Sequence, residues 1–262
     1  MNALNYKNKH VVVTGCYTGI GNAVAGLLID LGATVHGVDL HAPDLPLAEF
    51  SQLDLRALDA IPRVAEKIAS PVDALFNCAG LGPSHPDADV LTINFLATRC
   101  LTAALAANMQ PGAAIASIAS IGGAAWPAHL EALSNCLAIQ QQEDFLQWYQ
   151  SNSALFANAY SFSKEAIVVW TKQQATQLIR RGIRINCTSP GATRTPMLDE
   201  IERELPNFSG MDAITRPIGR CSTSLEQAWP LLLLNSELCS YINGADLPVD
   251  GGGAALATVG AS

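Results

Sequence analysis

The first forty residues place the tightest constraint on the fold. His10 to Thr14 is a short β-branched run, KHVVVTG in context, of the kind that forms a buried parallel strand. Glycines follow at 15, 19 and 21, and Val24, Leu27, Leu28 and Leu31 then recur at helical spacing. Gly32 comes next, where a helix stops in the left-handed conformation that glycine tolerates. A second strand, Thr34 to Val38, ends in Asp39. The order is strand, glycine loop, helix, strand, acid.

The alternation continues along the chain. Ala74 to Cys78 and Ala113 to Ser117 read as strands, with a helical stretch from Thr92 to Met109 between them. Tyr160 to Ile179 is a long helical pattern, followed by a strand from Ile183 to Thr188 and a last one from Tyr241 to Val249. Strands separated by helices predict an α/β, doubly wound parallel sheet. With 262 residues, no repeat and no linker, one domain spanning 1–262 is expected.

Composition narrows the class. The chain is 49% hydrophobic and 15% charged, which excludes disorder. Its formal charge is −8 without a basic run, which argues against nucleic acid and anionic membrane surfaces. MNALNYKNKH lacks a secretory h-region, and the apolar runs look short of a membrane span, so a cytoplasmic protein is expected. The seven cysteines are odd in number, form no CxxC pair and read as free thiols. The five histidines are scattered, and no metal site is expected.

A glycine loop between strand and helix aims backbone N–H groups and the positive helix end at a phosphate. The spacing here is GxxxGxG, and Asp39 lies eighteen residues beyond Gly21, close to the offset at which an acid holds adenosine ribose hydroxyls. A carboxylate there repels a 2′-phosphate, and neither Leu40 nor Thr18 supplies a compensating cation. NAD is therefore expected over NADP.

Tyr160 and Lys164 lie four apart in a helical stretch and share one face. A neighbouring ammonium stabilises a phenolate, so the pair suits proton transfer to or from an alcohol oxygen. Ser120, just past a strand end, could hold that oxygen.

At this point the chain resembles the classical short-chain dehydrogenases/reductases. The resemblance rests on TGCYTGIG (14–21), Asp39, Asp54 in QLDL, NCAG (77–80) and Asn94 in INF. It continues through Ser120 in SIASIG, YSFSK (160–164), RINCTSPGATRTP (184–196) and VDGG (249–252). It implies a single-domain Rossmann-type fold and a catalytic set of Asn94, Ser120, Tyr160 and Lys164. Tyr160 would be the general acid/base, and Lys164 would lower its pKa and hold the nicotinamide ribose. Ser120 would polarise the substrate oxygen, and Asn94 would hold a water in a proton relay. The implied cofactor-binding set is Gly15, Thr18, Gly19, Ile20, Gly21, Asp39, Asp54, Leu55, Asn77, Ala79, Gly80, Tyr160, Lys164, Pro190, Gly191, Thr193 and Thr195. Within it, Asp54 would contact adenine, Asn77 would line the cleft, and Thr195 would hold the carboxamide. Read from residue type alone, Asp54 also suits a helix N-cap, and Asn77 a group satisfying backbone near the sheet edge.

Two features depart from the common pattern. Ser120 and Tyr160 are forty residues apart, so residues 126–158 form an insertion, with Leu130, Leu133 and Leu137 at helical spacing. One or two helices beside the site are expected, facing either the substrate or their own domain. The connection from Gly80 to Thr92 is short. The combination resembles the branch holding bacterial 3α-hydroxysteroid and coniferyl-alcohol dehydrogenases, and AAWPAHL, YSFSKEAIVVW and YINGADLPVDGG look closest to the coniferyl-alcohol type. The resemblance implies an NAD-dependent dehydrogenase acting on a hydrophobic aromatic alcohol. A hydroxysteroid dehydrogenase/carbonyl reductase, an NADPH-dependent reductase or epimerase, and a non-catalytic NAD-binding regulator are the alternatives. The segment 195–220, with Met197, Leu198, Ile201, Leu205, Phe208, Met211 and Ile214, is expected to be a mobile lid over the substrate. A homo-oligomer is implied through the helices carrying Asn94 and Tyr160, with a dimer favoured because the insertion enters beside that face.

Overall fold

The computed structural model describes residues 4–68, 71–204 and 210–260. Seven strands form one parallel sheet: β1 (His10–Thr14), β2 (Thr34–Asp39), β3 (Glu49–Gln52), β4 (Ala74–Asn77), β5 (Ala114–Ile118), β6 (Arg184–Pro190) and β7 (Asp246–Val249). Their spatial order is β3-β2-β1-β4-β5-β6-β7, with every neighbouring pair parallel. The strand order reverses between β1 and β4, and there a doubly wound sheet opens a crevice for a ligand.

Side chains alternate across β1 and so seed two cores. Val11 and Val13 pack with Phe76 and Ala116 against α1 (Gly19–Asp30), joined by Leu231 and Leu232 of a later helix. Val12 faces the other way, with Leu75, Ile115 and Ile185. On that side lie α2 (Ile61–Lys67), α3 (Asp87–Leu91), α4 (Thr98–Ala106), the insertion helices α5 (Leu130–Leu137) and α6 (Gln142–Asn152), and α7 (Ala159–Leu178). The remaining helices are α8 (Pro196–Glu204), the single turn α9 (Met211–Ile214), α10 (Ser224–Asn235), which carries Leu231 and Leu232 against α1, and α11 (Gly253–Val259).

Several expectations are corrected. A segment of π-helix, Thr92–Ala97, joins α3 to α4, with Asn94 inside it. The resulting continuous helix Asp87–Ala106 is long and apolar enough to cross a membrane, although no apolar run in the sequence seemed to approach that length. Here its apolar face is spent inside the fold, where Val90, Leu91, Phe95, Leu96, Leu101 and Leu105 are buried. Strand β3 was not foreseen, because Glu49, Ser51 and Gln52 give a short polar edge strand no apolar signal. The last strand is shorter than its sequence pattern, since Tyr241 is fully exposed and pairing begins only after the left-handed turn at Gly244.

The insertion does form two helices, but they do not line the substrate cleft. Leu133, Cys136, Leu137, Phe145, Tyr149 and Phe156 are buried in the domain's own core. Phe145 stacks on Phe95 with centroids 5.4 Å apart, and Phe156 meets Phe162 of α7 edge-on at 4.6 Å. Arg99 of α4 donates to the carbonyls of Ile139 and Gln140 and lies over the Phe95 and Phe145 rings. The apolar stripe thus serves packing, as an amphipathic helix ordinarily does.

Candidate active site

The carboxyl ends of β1, β2, β4, β5 and β6 converge on one cavity of about 710 Å³. Its floor is the glycine loop. Gly15 has φ +67°, and a Cβ there would lie 2.6 Å from the Ala79 backbone. A Cβ on Gly21 would strike the Gly15 carbonyl, so the turn closes only with glycine at both positions. The Thr14 hydroxyl accepts from the N–H groups of Cys78 and Ala79, at 3.0 and 3.2 Å, and ties this loop to the one after β4.

Asp39 lies at the far end. One carboxylate oxygen accepts from the Tyr17 N–H at 3.0 Å and the other from the His41 N–H at 3.2 Å. The Tyr17 and His41 rings, 5.3 Å apart, flank it, and both residues line the cavity. Asp54 also lines this end, paired with Arg56 at 2.7 Å, and that guanidinium holds its carboxyl below the usual range. Asp54 accepts from the Arg56 N–H in a turn; it does not cap a helix, because the next helical turn starts from Ala57.

At the other end, Ser120, Tyr160 and Lys164 come together. Ser120 caps a short turn, its Oγ accepting from the Gly122 N–H at 3.0 Å. Asn158 caps α7, which sets Tyr160 on the first turn and Lys164 one turn on. The Lys164 ammonium donates to the Ile118 carbonyl at 3.0 Å and lies 5.6 Å from the Tyr160 ring centroid. Burial raises the Tyr160 phenol above its ordinary value, opposed by a hydrogen bond with Ser120. The same burial brings Lys164 down to about 8. Desolvation, not Lys164, thus sets the direction of the Tyr160 shift, contrary to the expected lowering.

Two residues of the implied sets lie behind the cleft instead of on its wall. Asn77 is buried, its amide donating to Thr102 Oγ1 and Ser117 Oγ at 3.0 and 3.1 Å. It stitches β4 to β5 and α4 as the last residue of its strand, whereas Cys78 and Ala79, which line the cavity, lie in the loop beyond it. Asn94 is fully buried; its Oδ1 accepts from the Leu81 N–H at 2.7 Å, and both amide protons are spent on the Leu81 carbonyl and Ser163 Oγ. Its side chain fixes the loop after β4 against α7.

The other implied residues border the cavity: Thr18, Gly19, Ile20, Leu55, Gly80, Pro190, Gly191, Thr193 and Thr195. Thr195 Oγ1 accepts weakly from the Leu198 N–H at 3.4 Å, and its methyl would meet a Cβ placed on Gly19 at 3.4 Å. From 195–220, Met197, Leu198, Ile201 and Ile214 form the apolar wall; Leu205 and Phe208 fall outside the described residues. Sequence reasoning missed Tyr17, His41 and His85, which also line the cavity. The first two were readable as neighbours of the glycine loop and Asp39, whereas His85 carried no motif. Among the described residues no cluster of His, Cys, Asp and Glu could hold a metal, and the seven cysteines are unpaired.

Comparison with known proteins agrees with this geometry. Residues 9–133 match the short chain dehydrogenase model, and residues 149–254 match a model described as enoyl-(acyl carrier protein) reductase. Coniferyl-alcohol dehydrogenase of Pseudomonas sp. (strain HR199) is 34% identical over 246 residues, 94% of this chain and 96% of its own. The 3-alpha-hydroxysteroid dehydrogenase/carbonyl reductase of Comamonas testosteroni is 31% identical, covering 92% and 95%. Among solved structures, the 3-alpha-hydroxysteroid dehydrogenase of Pseudomonas sp. B-0831, complexed with NADH, superposes with a TM-score of 0.82 at 26% identity over 97% of this chain and 100% of that one. With this fold, this Ser120, Tyr160 and Lys164 constellation and these relatives, the chain belongs to the classical short-chain dehydrogenases/reductases and is an oxidoreductase of that family.

Proposed function

We propose that the protein is an NAD-dependent alcohol dehydrogenase that interconverts a hydrophobic aromatic alcohol and its aldehyde or ketone. The observation that carries the reading is one cavity with Ser120, Tyr160 and Lys164 at one end, Asp39 at the other, and an apolar wall beside the catalytic end. The dinucleotide fits the glycine cradle, where Gly15 and Gly21 leave no room for a Cβ and backbone can approach a pyrophosphate. Asp39, with no cation at Thr18 or Leu40, favours free ribose hydroxyls over a 2′-phosphate.

The roles follow from the free atoms. Ser120 Oγ accepts from Gly122, so its own proton is left to donate to the substrate oxygen. Tyr160, half-buried beside Ser120, takes the hydroxyl proton during oxidation and returns it during reduction. Lys164 commits one donor to Ile118 and keeps two for ribose hydroxyls. When bound, the nicotinamide supplies the hydride acceptor or donor. Asp54, Leu55, Ala79, Gly80, Pro190, Gly191, Thr193 and Thr195 would enclose the rest of the dinucleotide.

Support for an aromatic alcohol comes from the coniferyl-alcohol relative, whereas the high structural likeness to a hydroxysteroid enzyme favours a secondary ring alcohol as the second reading. A panel of cinnamyl-type alcohols, 3α-hydroxysteroids and cyclic alcohols, followed by NADH formation, separates them. Tyr160→Phe should lower the rate roughly 10²–10⁴-fold and leave NADH affinity nearly intact. Unchanged activity in that variant, or a wild type that turns over only with NADP, would reject the proposal. The segment 195–220 is proposed to close over the substrate, with α8 gaining hydrogen-exchange protection on NADH addition. A homodimer is proposed because α5 packs on α7 and the rings of α6 on its Phe162, and a tetramer in light scattering would contradict it.

A further inference from the structure

The substrate half of the cavity is walled by Leu81, Pro83, Met197, Leu198 and Ile201, and into this apolar wall one histidine is set. His85 belongs to the short loop after β4. Its Nε2 lies 3.0 Å from Glu200 Oε1 of α8, and the same carboxylate oxygen accepts from Ser84 Oγ at 3.0 Å. Gly82 of this loop packs so closely on α8 that a Cβ would lie 3.2 Å from Met197 and 3.4 Å from Ile201. The loop and α8 therefore close the outer end of the compartment together. A Cβ on Gly80, where the loop begins, would lie 3.6 Å from the Lys164 ammonium. Four residues of chain separate Gly80 from His85, so the His85 backbone lies within about 18 Å of Gly80 at the catalytic end.

Glu200 decides which ring nitrogen of His85 is left to act. In the neutral ring, a carboxylate oxygen 3.0 Å from Nε2 favours the tautomer with the proton on that nitrogen and the lone pair on Nδ1. Nδ1 has no protein partner among the described residues. In an apolar compartment an open acceptor discriminates strongly, because a ligand that cannot donate leaves it desolvated and unpaired.

We propose that His85, oriented by Glu200, recognises a second hydroxyl group on the substrate, distant from the alcohol that reacts at Ser120 and Tyr160. This rests on the alcohol-dehydrogenase reading and extends it: the favoured substrates are aromatic alcohols that carry a hydrogen-bond donor at the opposite end. Ethers or hydrogen at that position are disfavoured. His85 contacts the substrate, and Glu200 is a positioning residue.

The test compares three alcohols of one skeleton with saturating NAD: cinnamyl alcohol, 4-hydroxycinnamyl alcohol and 4-methoxycinnamyl alcohol. The wild type should favour the hydroxylated compound by about tenfold in kcat/KM over both others, chiefly through KM. His85→Phe should bring the three values together, and His85→Gln, which keeps an acceptor, should retain part of the preference. Since the readout is a ratio on one protein preparation, loss of folded enzyme does not alter it. A wild type that oxidises all three within about twofold of each other overturns this inference and leaves the dehydrogenase reading intact. So does a His85→Phe variant that lowers all three in parallel, the mark of a purely structural latch. A wild type that oxidises none of them overturns the aromatic-alcohol reading and this inference together.

Discussion

Lys164→Met should make the protein more stable while it removes activity. Lys164 is 5% exposed, and burial brings its pKa from the ordinary 10.5 to about 8. Holding the ammonium in that site therefore costs about 3 kcal/mol relative to solvent. Methionine removes this cost and fills similar space, but leaves the Ile118 carbonyl without its donor, which returns about 1 kcal/mol. The net gain of about 2 kcal/mol corresponds to a rise in Tm of roughly 4–8 °C for a domain of this size. Its pH dependence has a definite sign. Below about pH 8 both the folded and the unfolded lysine are protonated, and the whole cost falls on the folded state. Between about 8 and 10.5 the folded protein has released a proton that the unfolded chain still holds, so wild-type stability rises with pH. Calorimetric melts of both proteins should show the variant ahead at about pH 7 and the gap closing toward about pH 10. A variant that melts at or below wild type near neutrality, or a gap that does not depend on pH, would refute the reasoning.

Two further outcomes are expected. Asp39→Ala removes the acceptor at the adenosine end, so KM for NAD should rise roughly 10- to 100-fold and discrimination against NADP should fall, read from initial rates with both cofactors. Phe145→Ala should cost about 3–5 kcal/mol in chemical denaturation, because the ring is fully buried between Phe95 and Phe162; a loss below about 1 kcal/mol would mean the insertion is not part of the core.

What could be read from the chain was what the chain encodes locally. Gly15, Gly19, Gly21 and Asp39 lie within one strand-loop-helix-strand unit, and Tyr160 and Lys164 within one helical turn, so their spacing carries their placement. Ser120 needed only a strand end. The direction a side chain takes was harder. Asn77 and Cys78 are neighbours in one motif, yet only Cys78 lines the cavity, since the strand ends at Asn77 and the loop beyond it turns toward the cleft. The amphipathic insertion announced helices but not their partner, because an apolar stripe satisfies a core and a ligand equally. His85 and Ser84 lay beyond reach, since their carboxylate partner Glu200 is more than a hundred positions away and only the folded topology joins them.

The aromatic packing of the insertion has one more consequence. Phe162, two residues past Tyr160, touches Phe145, Trp148, Tyr149 and Phe156 in turn. The insertion therefore grips the catalytic helix at the turn that presents the tyrosine, on the side away from the substrate. It acts as a splint: loosening it should blur where Tyr160 points and depress turnover, while the choice among substrates, set by walls that its two helices do not reach, should stay the same.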